Sequence, residues 1–521
     1  MEKVRKRDGW PVCLVNPPVL LAKNQPGVDL FQPLGLAYLA AVLRKKGYPV
    51  SIIDAPAEGW KKIKKFDSKR NYNGLSFKQI GQEIEKRKPK VVGITITFTV
   101  QKDSAFRVAS IIKTIDKKII VIIGGPHVTV RPQECVASPN IDFAVIGEGE
   151  ITLSELIKKL KKGVNKTELK KVKGIAFKTN RKVYLAPPRP LINDLDALPL
   201  PARDLLPMET YFEAAKSKRA NRDLNKPWAT VITSRGCPFN CVFCSVHLTM
   251  GRKWRARSPE NVIEELKYLV REYGIKQIDL EDDNISCSKK RLERICDLII
   301  ANDLKFEWYT PNGIRADTLD ERLLRKMKAA GCRELWFAPE SGSQRVVDEI
   351  IDKGINLKYV EKMVAACKKV GISSNCFFVI GFPGETKKEI EKTITFAQKL
   401  GRLGADNCLF SIATPLYGTR LYEQAVKNNL LIGTDDQDLM YDRPVLKSSE
   451  WTTEELVNLR AQAQSDNRRL YLANSIRKLF YYLAHNPALG MEHLRNISRI
   501  GLIFLRRRWS QISQTYFQEG E

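Results

Sequence analysis

Long apolar runs are missing from this 521-residue chain, and with them the roughly 20 consecutive residues that a membrane-spanning helix needs. The opening MEKVRKRDGW is charged where a secretory signal would turn apolar, so the expected location is cytoplasmic. No sequence period recurs and no arginine-rich low-complexity tail is present, which argues against a solenoid and against a basic disordered arm. Histidine is scarce, at four residues, and His247, His485 and His493 have no partner recognisable in the sequence. Acidic residues are in deficit: 59 Asp+Glu against 87 Lys+Arg leave a net charge of +28. That charge attracts nucleic acid, anionic lipid or an anionic substrate alike. Lysines that solvate helix faces, as in EIEKRKPK and ELIKKLKKG, explain much of it, and no specific nucleic-acid partner is predicted. In a reducing cytosol the eleven cysteines do not imply a disulfide framework, and a tight cluster of them reads as a metal or cofactor site.

What is present is enough apolar residue for large cores, 43% of the chain, at a length beyond the roughly 250–300 residues at which one core stops growing. Two or three domains are therefore expected. In the N-terminal part short β-branched runs alternate with amphipathic stretches. VCLVN (12–16) reads as a strand, LGLAYLAAVLRKKG (34–47) as a helix ended by glycine, and VSIID (50–54) as the next strand. VVGITITF (91–98), AFRVASIIKTI (105–115), IIVIIGG (119–125) and DFAVIGEGE (142–150) continue the pattern. Such alternation predicts an α/β, doubly wound, Rossmann-like sheet that is largely parallel, with ligands outside the carboxyl ends of its strands. NPP (16–18), GGPH (124–127) and GEGE (147–150) fall at those ends.

The connector APPRPLINDLDALPLPARDLLP (186–207) breaks regular structure. Beyond it WATVITS (228–234), KQIDLEDDN (276–284), FEWYTPNG (306–313), RELWFAPES (333–341), SSNCFFVIGFPGE (373–385) and DNCLFSIATPLYGT (406–419) alternate with helical periodicity. Six such units predict a partial or complete parallel barrel whose chemistry sits at the carboxyl ends of its strands. The expected division is 10–185 for the first sheet domain, 186–227 for the connector, 228–430 for a partial (β/α)6 TIM-like barrel and 431–521 for a helical C-terminal domain.

The first barrel strand runs into TSRGCPFNCVFCSV (233–246), where Cys237, Cys241 and Cys244 stand in a C-x3-C-x2-C spacing. Thiolates so spaced can wrap an iron–sulfur cluster, one cysteine to each iron, and three ligands on four irons leave one iron open. The alternative is a zinc site completed by His247, although structural zinc sites generally pair their ligands as two separated couples.

This motif resembles the signature of the radical S-adenosylmethionine (SAM) enzymes. The resemblance implies a [4Fe–4S] cluster on Cys237, Cys241 and Cys244 whose open iron binds SAM and cleaves it to a 5′-deoxyadenosyl radical. It also implies an external electron donor, a flavodoxin or ferredoxin. Further SAM contacts follow by similarity: Phe243 before the last cysteine, Glu340 and Ser341 of PESGS, and Gly381 and Pro383 of VIGFPGET. The family's Gly-Gly-Glu after the second strand is replaced by EDDN (281–284), leaving Asp282 or Asp283 as candidates for the amino-group contact.

The preceding sheet narrows the resemblance to the cobalamin-dependent branch, which includes the anaerobic magnesium-protoporphyrin monomethyl ester oxidative cyclase and several carbon and phosphorus methylases. By that likeness the corrinoid contacts are Asn16, Pro17, Pro18, Leu34, Gly35, Gly124, Gly125, Pro126, His127, Gly147, Glu148 and Gly149. Asp-x-His-x-x-Gly, which offers a histidine to cobalt in other cobalamin proteins, is absent. The bound corrinoid is therefore expected to lack a lower histidine, with His127 at a turn or at the corrin edge. The implied reaction is methylation of an unactivated carbon through methylcobalamin and the 5′-deoxyadenosyl radical. Oxidative cyclisation of a porphyrin-like substrate is the alternative, and a non-catalytic cobalamin sensor or carrier a third. A methylthiotransferase needs three more N-terminal cysteines, where only Cys13 and Cys135 occur.

Near the end, NISRIGLIFLRRRW (496–509) sets apolar residues beside Arg506, Arg507 and Arg508, with Trp509 following. Such a segment suits a helix at the anionic inner face of the membrane, and equally a cap on the barrel. The membrane reading implies a lipid-like or membrane-delivered substrate in place of a freely soluble small molecule.

Overall fold

The computed structural model describes residues 9–23, 25, 29–179, 182–216, 226–433, 436, 439, 443–467 and 483. The first sheet holds seven strands: Val12–Asn16 (β1), Val50–Asp54 (β2), Val91–Thr95 (β3), Ile120–Gly124 (β4), Phe143–Val145 (β5), Ile175–Thr179 (β6) and Lys182–Leu185 (β7). Their spatial order is β7-β6-β5-β4-β3-β1-β2. β1 to β5 are parallel, and β6 and β7 extend the sheet antiparallel. The strands read as unbroken apolar runs because both faces are covered: Val12 and Leu14 enter one core, Cys13 and Val15 the other. Strand order reverses at the β1/β3 junction, the place where open α/β sheets hold their ligands.

The second sheet comprises Trp228–Val231 (β8), Gln277–Leu280 (β9), Glu307–Ile314 (β10), Cys332–Glu340 (β11), Ser373–Ile380 (β12) and Asn407–Ile412 (β13). They are parallel and in sequence order, with β8 and β13 as the two edges, so the barrel is partial. Bare edges invite pairing with other chains, and a helix over residues 453–467 covers the β13 edge. Arg460 Nε and Gln464 Nε2 donate to the Phe410 carbonyl at 2.9 and 3.3 Å, and the Asn467 amide both donates to Cys408 O (2.7 Å) and accepts from Cys408 N (3.1 Å).

Two features have no strong sequence signal. One is a small antiparallel sheet of Val19–Ala22, Arg70–Asn73 and Ile63–Lys65, strands of three or four residues, too short to show a period of two. The other is the packing of the proline-rich connector. Arg203 within it is fully buried, donating to Gln32 Oε1, Thr230 O and Glu265 Oε1 at 3.1, 2.7 and 2.7 Å. Gln32 belongs to the first sheet domain and Thr230 to β8, so one guanidinium ties the two parts together.

Candidate functional site

Both sheets present their carboxyl ends to a common region. At the first sheet, Asn16, Pro17 and Pro18 follow β1, Gly124 to His127 follow β4, and Gly147 to Gly149 follow β5; Leu34 and Gly35 open the helix Leu34–Lys45. The Asn16 amide donates to Asp54 Oδ1 at 2.8 Å, and Pro18 O accepts from Ser104 Oγ at 2.7 Å. Gly125 has φ +108, and a Cβ there would lie 2.7 Å from Ile96 O, so only glycine fits this turn. Gly35 and Gly147 have open space where a Cβ would stand. Phe31 and Phe98, 57% and 58% exposed, flank the same end of the sheet. His127 is buried; its Nδ1 lies 3.1 Å from Thr99 Oγ1, its Nε2 has no partner, and burial lowers its pKa.

The GEGE carboxylates do something the sequence did not signal. Glu148 Oε1 accepts from Arg235 and Arg255 at 2.9 and 2.8 Å, its Oε2 accepts from Ile192 N at 2.7 Å, and Glu150 accepts from Arg235 at 2.6 Å. Arg235 lies two residues before Cys237. The GEGE loop is thus clamped to the start of the cysteine loop.

That loop is fixed from several sides. Asp282 is buried, with Oδ2 accepting from Thr233 N (3.1 Å) and Oδ1 from Thr233 Oγ1 (2.8 Å) and Ser234 Oγ. Asp283 accepts from Gly236 N at 2.8 Å, and burial pushes its pKa up to about 6. Gly236 has φ +83 and no room for a Cβ, which would lie 2.6 Å from Lys253 O. Val242 N donates to Ile351 O (2.8 Å) and Leu421 N to Val242 O (3.0 Å). The three cysteines are half-buried, and burial raises the Cys241 thiol and lifts Cys244 to about 11. Among the described residues no three His, Cys, Asp or Glu side chains converge on a single ion, whereas a cluster asks each thiolate to meet its own iron.

The SAM candidates divide. Phe243 packs against Phe382 of GFPG with ring centroids 5.9 Å apart, bringing the cysteine loop to Gly381 and Pro383. Glu340 has φ +66 just past a register shift in β11, and its carboxylate pairs with Lys353 Nζ at 2.7 Å. Burial works against the Lys353 charge, but Glu340 outweighs it and raises the pKa. Ser341 turns away, its hydroxyl lying 3.0 Å from Thr393 Oγ1 and accepting from Ser343 N. Asn284 closes EDDN with Nδ2 4.0 Å from Cys237 Sγ, a contact invisible to motif reading.

Glu385 was equally hidden. Its Oε2 accepts from Gly381 N and Phe382 N at 2.7 and 3.1 Å, its Oε1 is buried without a partner, and burial pushes its pKa up to about 8. A raised pKa means that the folded protein holds a proton the unfolded chain has released. Stability should therefore be full below the usual carboxylate range and fall as pH rises towards about 8, by about 1.4 kcal/mol per unit. Glu385→Gln keeps the acceptor and removes the titration, so its thermal midpoint should vary less than that of the wild type between about pH 5 and about pH 8. Parallel decline of both proteins would refute this assignment.

Two family models match the chain: the B12 binding domain over residues 28–157 and the Radical SAM superfamily over residues 231–397. The uncharacterized methyltransferase PH0819 of Pyrococcus horikoshii is 41% identical over 87% of this chain and 91% of its own length. The cytidylyl-2-hydroxyethylphosphonate methyltransferase of Streptomyces wedmorensis is 30% identical over 87% and 89%. This chain is a cobalamin-binding radical SAM enzyme.

Its fold is shared with TsrM from Kitasatospora setae, at a TM-score of 0.64 and 18% identity over 80% of this chain and 76% of that one. OxsB matches at 0.66 and 16% identity over 97% and 81%. The cofactors of this radical SAM enzyme are SAM, a [4Fe–4S] cluster and cobalamin, and the residues present fit all three. Three soft thiols beside the cationic Lys353 and Arg315 suit an anionic cluster. The glycine-lined carboxyl end of the first sheet, flanked by uncovered Phe31 and Phe98, suits a broad, largely apolar ligand. Among the described residues no helix is long and apolar enough to cross a membrane. The segment with Arg506, Arg507, Arg508 and Trp509, and most of 431–521, lie outside the described residues.

Proposed function

We propose that this enzyme methylates an unactivated carbon of a small apolar or lipid-like substrate bound between the two sheets. One observation carries the reading. A Cβ on Gly418, after β13, would stand 2.9 Å from Leu248 and 3.7 Å from Val130. Leu248 lies four residues past Cys244 and Val130 three past His127, so the cysteine loop and the corrinoid-side loop meet at one point. When bound, cobalamin supplies a transferable methyl group and the cluster with SAM supplies the hydrogen-abstracting radical.

The chain's own residues then divide the work. Residues 10–185 hold the corrinoid, 228–430 hold the cluster and SAM, and Arg203 of the connector ties the two together. Cys237, Cys241 and Cys244 bind the cluster. Asp282 has both oxygens committed to Thr233 and Ser234, so it positions the loop. Asp283, with one oxygen engaged, is left to meet the SAM amino group. Glu340 and Lys353 form a buried pair at the rim. Inside the barrel, Trp336 and Phe377 stack at 4.5 Å, both half-buried, and Leu409 is 41% exposed in mid-strand. Apolar side chains left uncovered inside a barrel favour an apolar substrate. The high net positive charge favours an acidic electron donor such as a flavodoxin or ferredoxin.

The test is mass spectrometry of a cell extract treated with the reconstituted enzyme, reductant and SAM bearing a CD3 group. A product carrying CD3 in place of hydrogen is expected. A product that gains oxygen and no label would replace methyl transfer with oxidative cyclisation.

A further inference from the structure

Asn284 occupies the last position of EDDN, after Asp282 and Asp283, which tether the cysteine loop through both oxygens of the first and one of the second. It is 3% exposed. Its main chain is anchored by Trp254 Nε1, which donates to Asn284 O at 2.9 Å. The orientation of its amide is set by neighbours. Ser286 Oγ donates to Asn284 Oδ1 at 3.2 Å. With Oδ1 occupied by a donor, Nδ2 is the face turned to Cys237 Sγ, 4.0 Å away. The reverse amide orientation would aim an oxygen lone pair at a sulfur that becomes a thiolate on cluster binding.

We infer that Asn284 is a positioning residue that donates an N–H···S hydrogen bond to the Cys237 thiolate and so raises the reduction potential of the cluster. Reduction adds one negative charge, shared over iron and sulfur. A donor on a ligand sulfur stabilises that added charge more than the oxidised state, which is why hydrogen bonds to sulfur are among the settings of cluster potential. The amide's burial strengthens the effect, because little water competes for its N–H and the local dielectric is low. Asn284 works through Cys237 and needs no contact with SAM or substrate. Methyl transfer and cyclisation both require the reduced cluster, so the residue's role is the same under either reaction.

The test uses full-length protein reconstituted anaerobically with iron and sulfide, without SAM or cobalamin. It is equilibrated at a series of fixed potentials, and the reduced cluster is quantified by electron paramagnetic resonance. Asn284→Leu keeps the volume and removes the donor: at a given potential its ratio of reduced to oxidised cluster should fall about tenfold, equivalent to about 59 mV for one electron. Asn284→Asp places a carboxylate at the same point and should fall further. Iron content should match the wild type in both. A ratio within twofold of wild type in an iron-replete Leu variant would overturn the inference, as would a higher ratio. If the Leu variant loads poorly, Asn284→Asp decides alone, and a wild-type ratio there, or iron loss in both variants, shows the amide to be structural only.

Discussion

Replacing Cys237, Cys241 and Cys244 together with alanine should abolish the brown iron–sulfur absorbance of anaerobically reconstituted protein and remove reductive cleavage of SAM completely. Each thiolate is assigned to a different iron, so any single substitution leaves an iron without its protein ligand. Cys287 lies near Cys237, its thiol pushed up to about 12 by burial, but it stands outside the C-x3-C-x2-C loop. The fold should survive, because these thiols are half-buried on a loop whose anchors are Asp282, Asp283 and Arg235. Iron and sulfide assays, together with chromatography for 5′-deoxyadenosine, check the result. About four irons per chain with undiminished cleavage in the triple variant would remove the cysteines from the site.

A second large effect is expected far from the chemistry. Glu265 is fully buried and accepts from Arg203 and Arg257, themselves almost fully buried. Burial alone would raise its carboxyl, yet the two guanidinium groups hold it below the usual range. Glu265→Gln should therefore cost about 3–5 kcal/mol, since it strands two buried cations. Glu264→Gln, at an exposed pair with Lys267, should change stability by less than about 0.5 kcal/mol. Urea midpoints for the two variants measure the contrast. A loss below about 1 kcal/mol for Glu265→Gln would show that the triad does not hold the connector in place.

The strands and helices of both sheets were legible because their patterns are local: buried parallel strands read as β-branched runs, and the helices show a period near 3.6. The cysteine loop was legible because its three cysteines lie within eight residues. What the sequence hid is what depends on distance. Glu148 looked like part of a strand-end turn, and its carboxylate instead meets Arg235 and Arg255, 87 and 107 residues away. Arg203 sat in a proline-rich stretch that reads as a linker, and its burial is decided by Gln32 and Glu265, far apart in the chain. Asp282 and Asp283 were equal in the sequence as candidates for the SAM amino group; only the hydrogen bonds separate them, engaging both oxygens of Asp282 and one of Asp283. Ser341 shares its motif with Glu340, but it lies just past β11 and its hydroxyl meets Thr393, while Glu340, at positive φ, pairs with Lys353. Glu385 and Asn284 sit inside motifs quoted for other residues, with no local sign of burial.

The most direct test of the central claim is the fate of SAM in the reconstituted wild type, measured by chromatography with cobalamin, reductant and cell extract present. Both S-adenosylhomocysteine and 5′-deoxyadenosine should form, the first only when cobalamin is present, the second only when Cys237, Cys241 and Cys244 are intact. Formation of 5′-deoxyadenosine alone, with no S-adenosylhomocysteine at any cobalamin loading, would contradict methyl transfer by this enzyme.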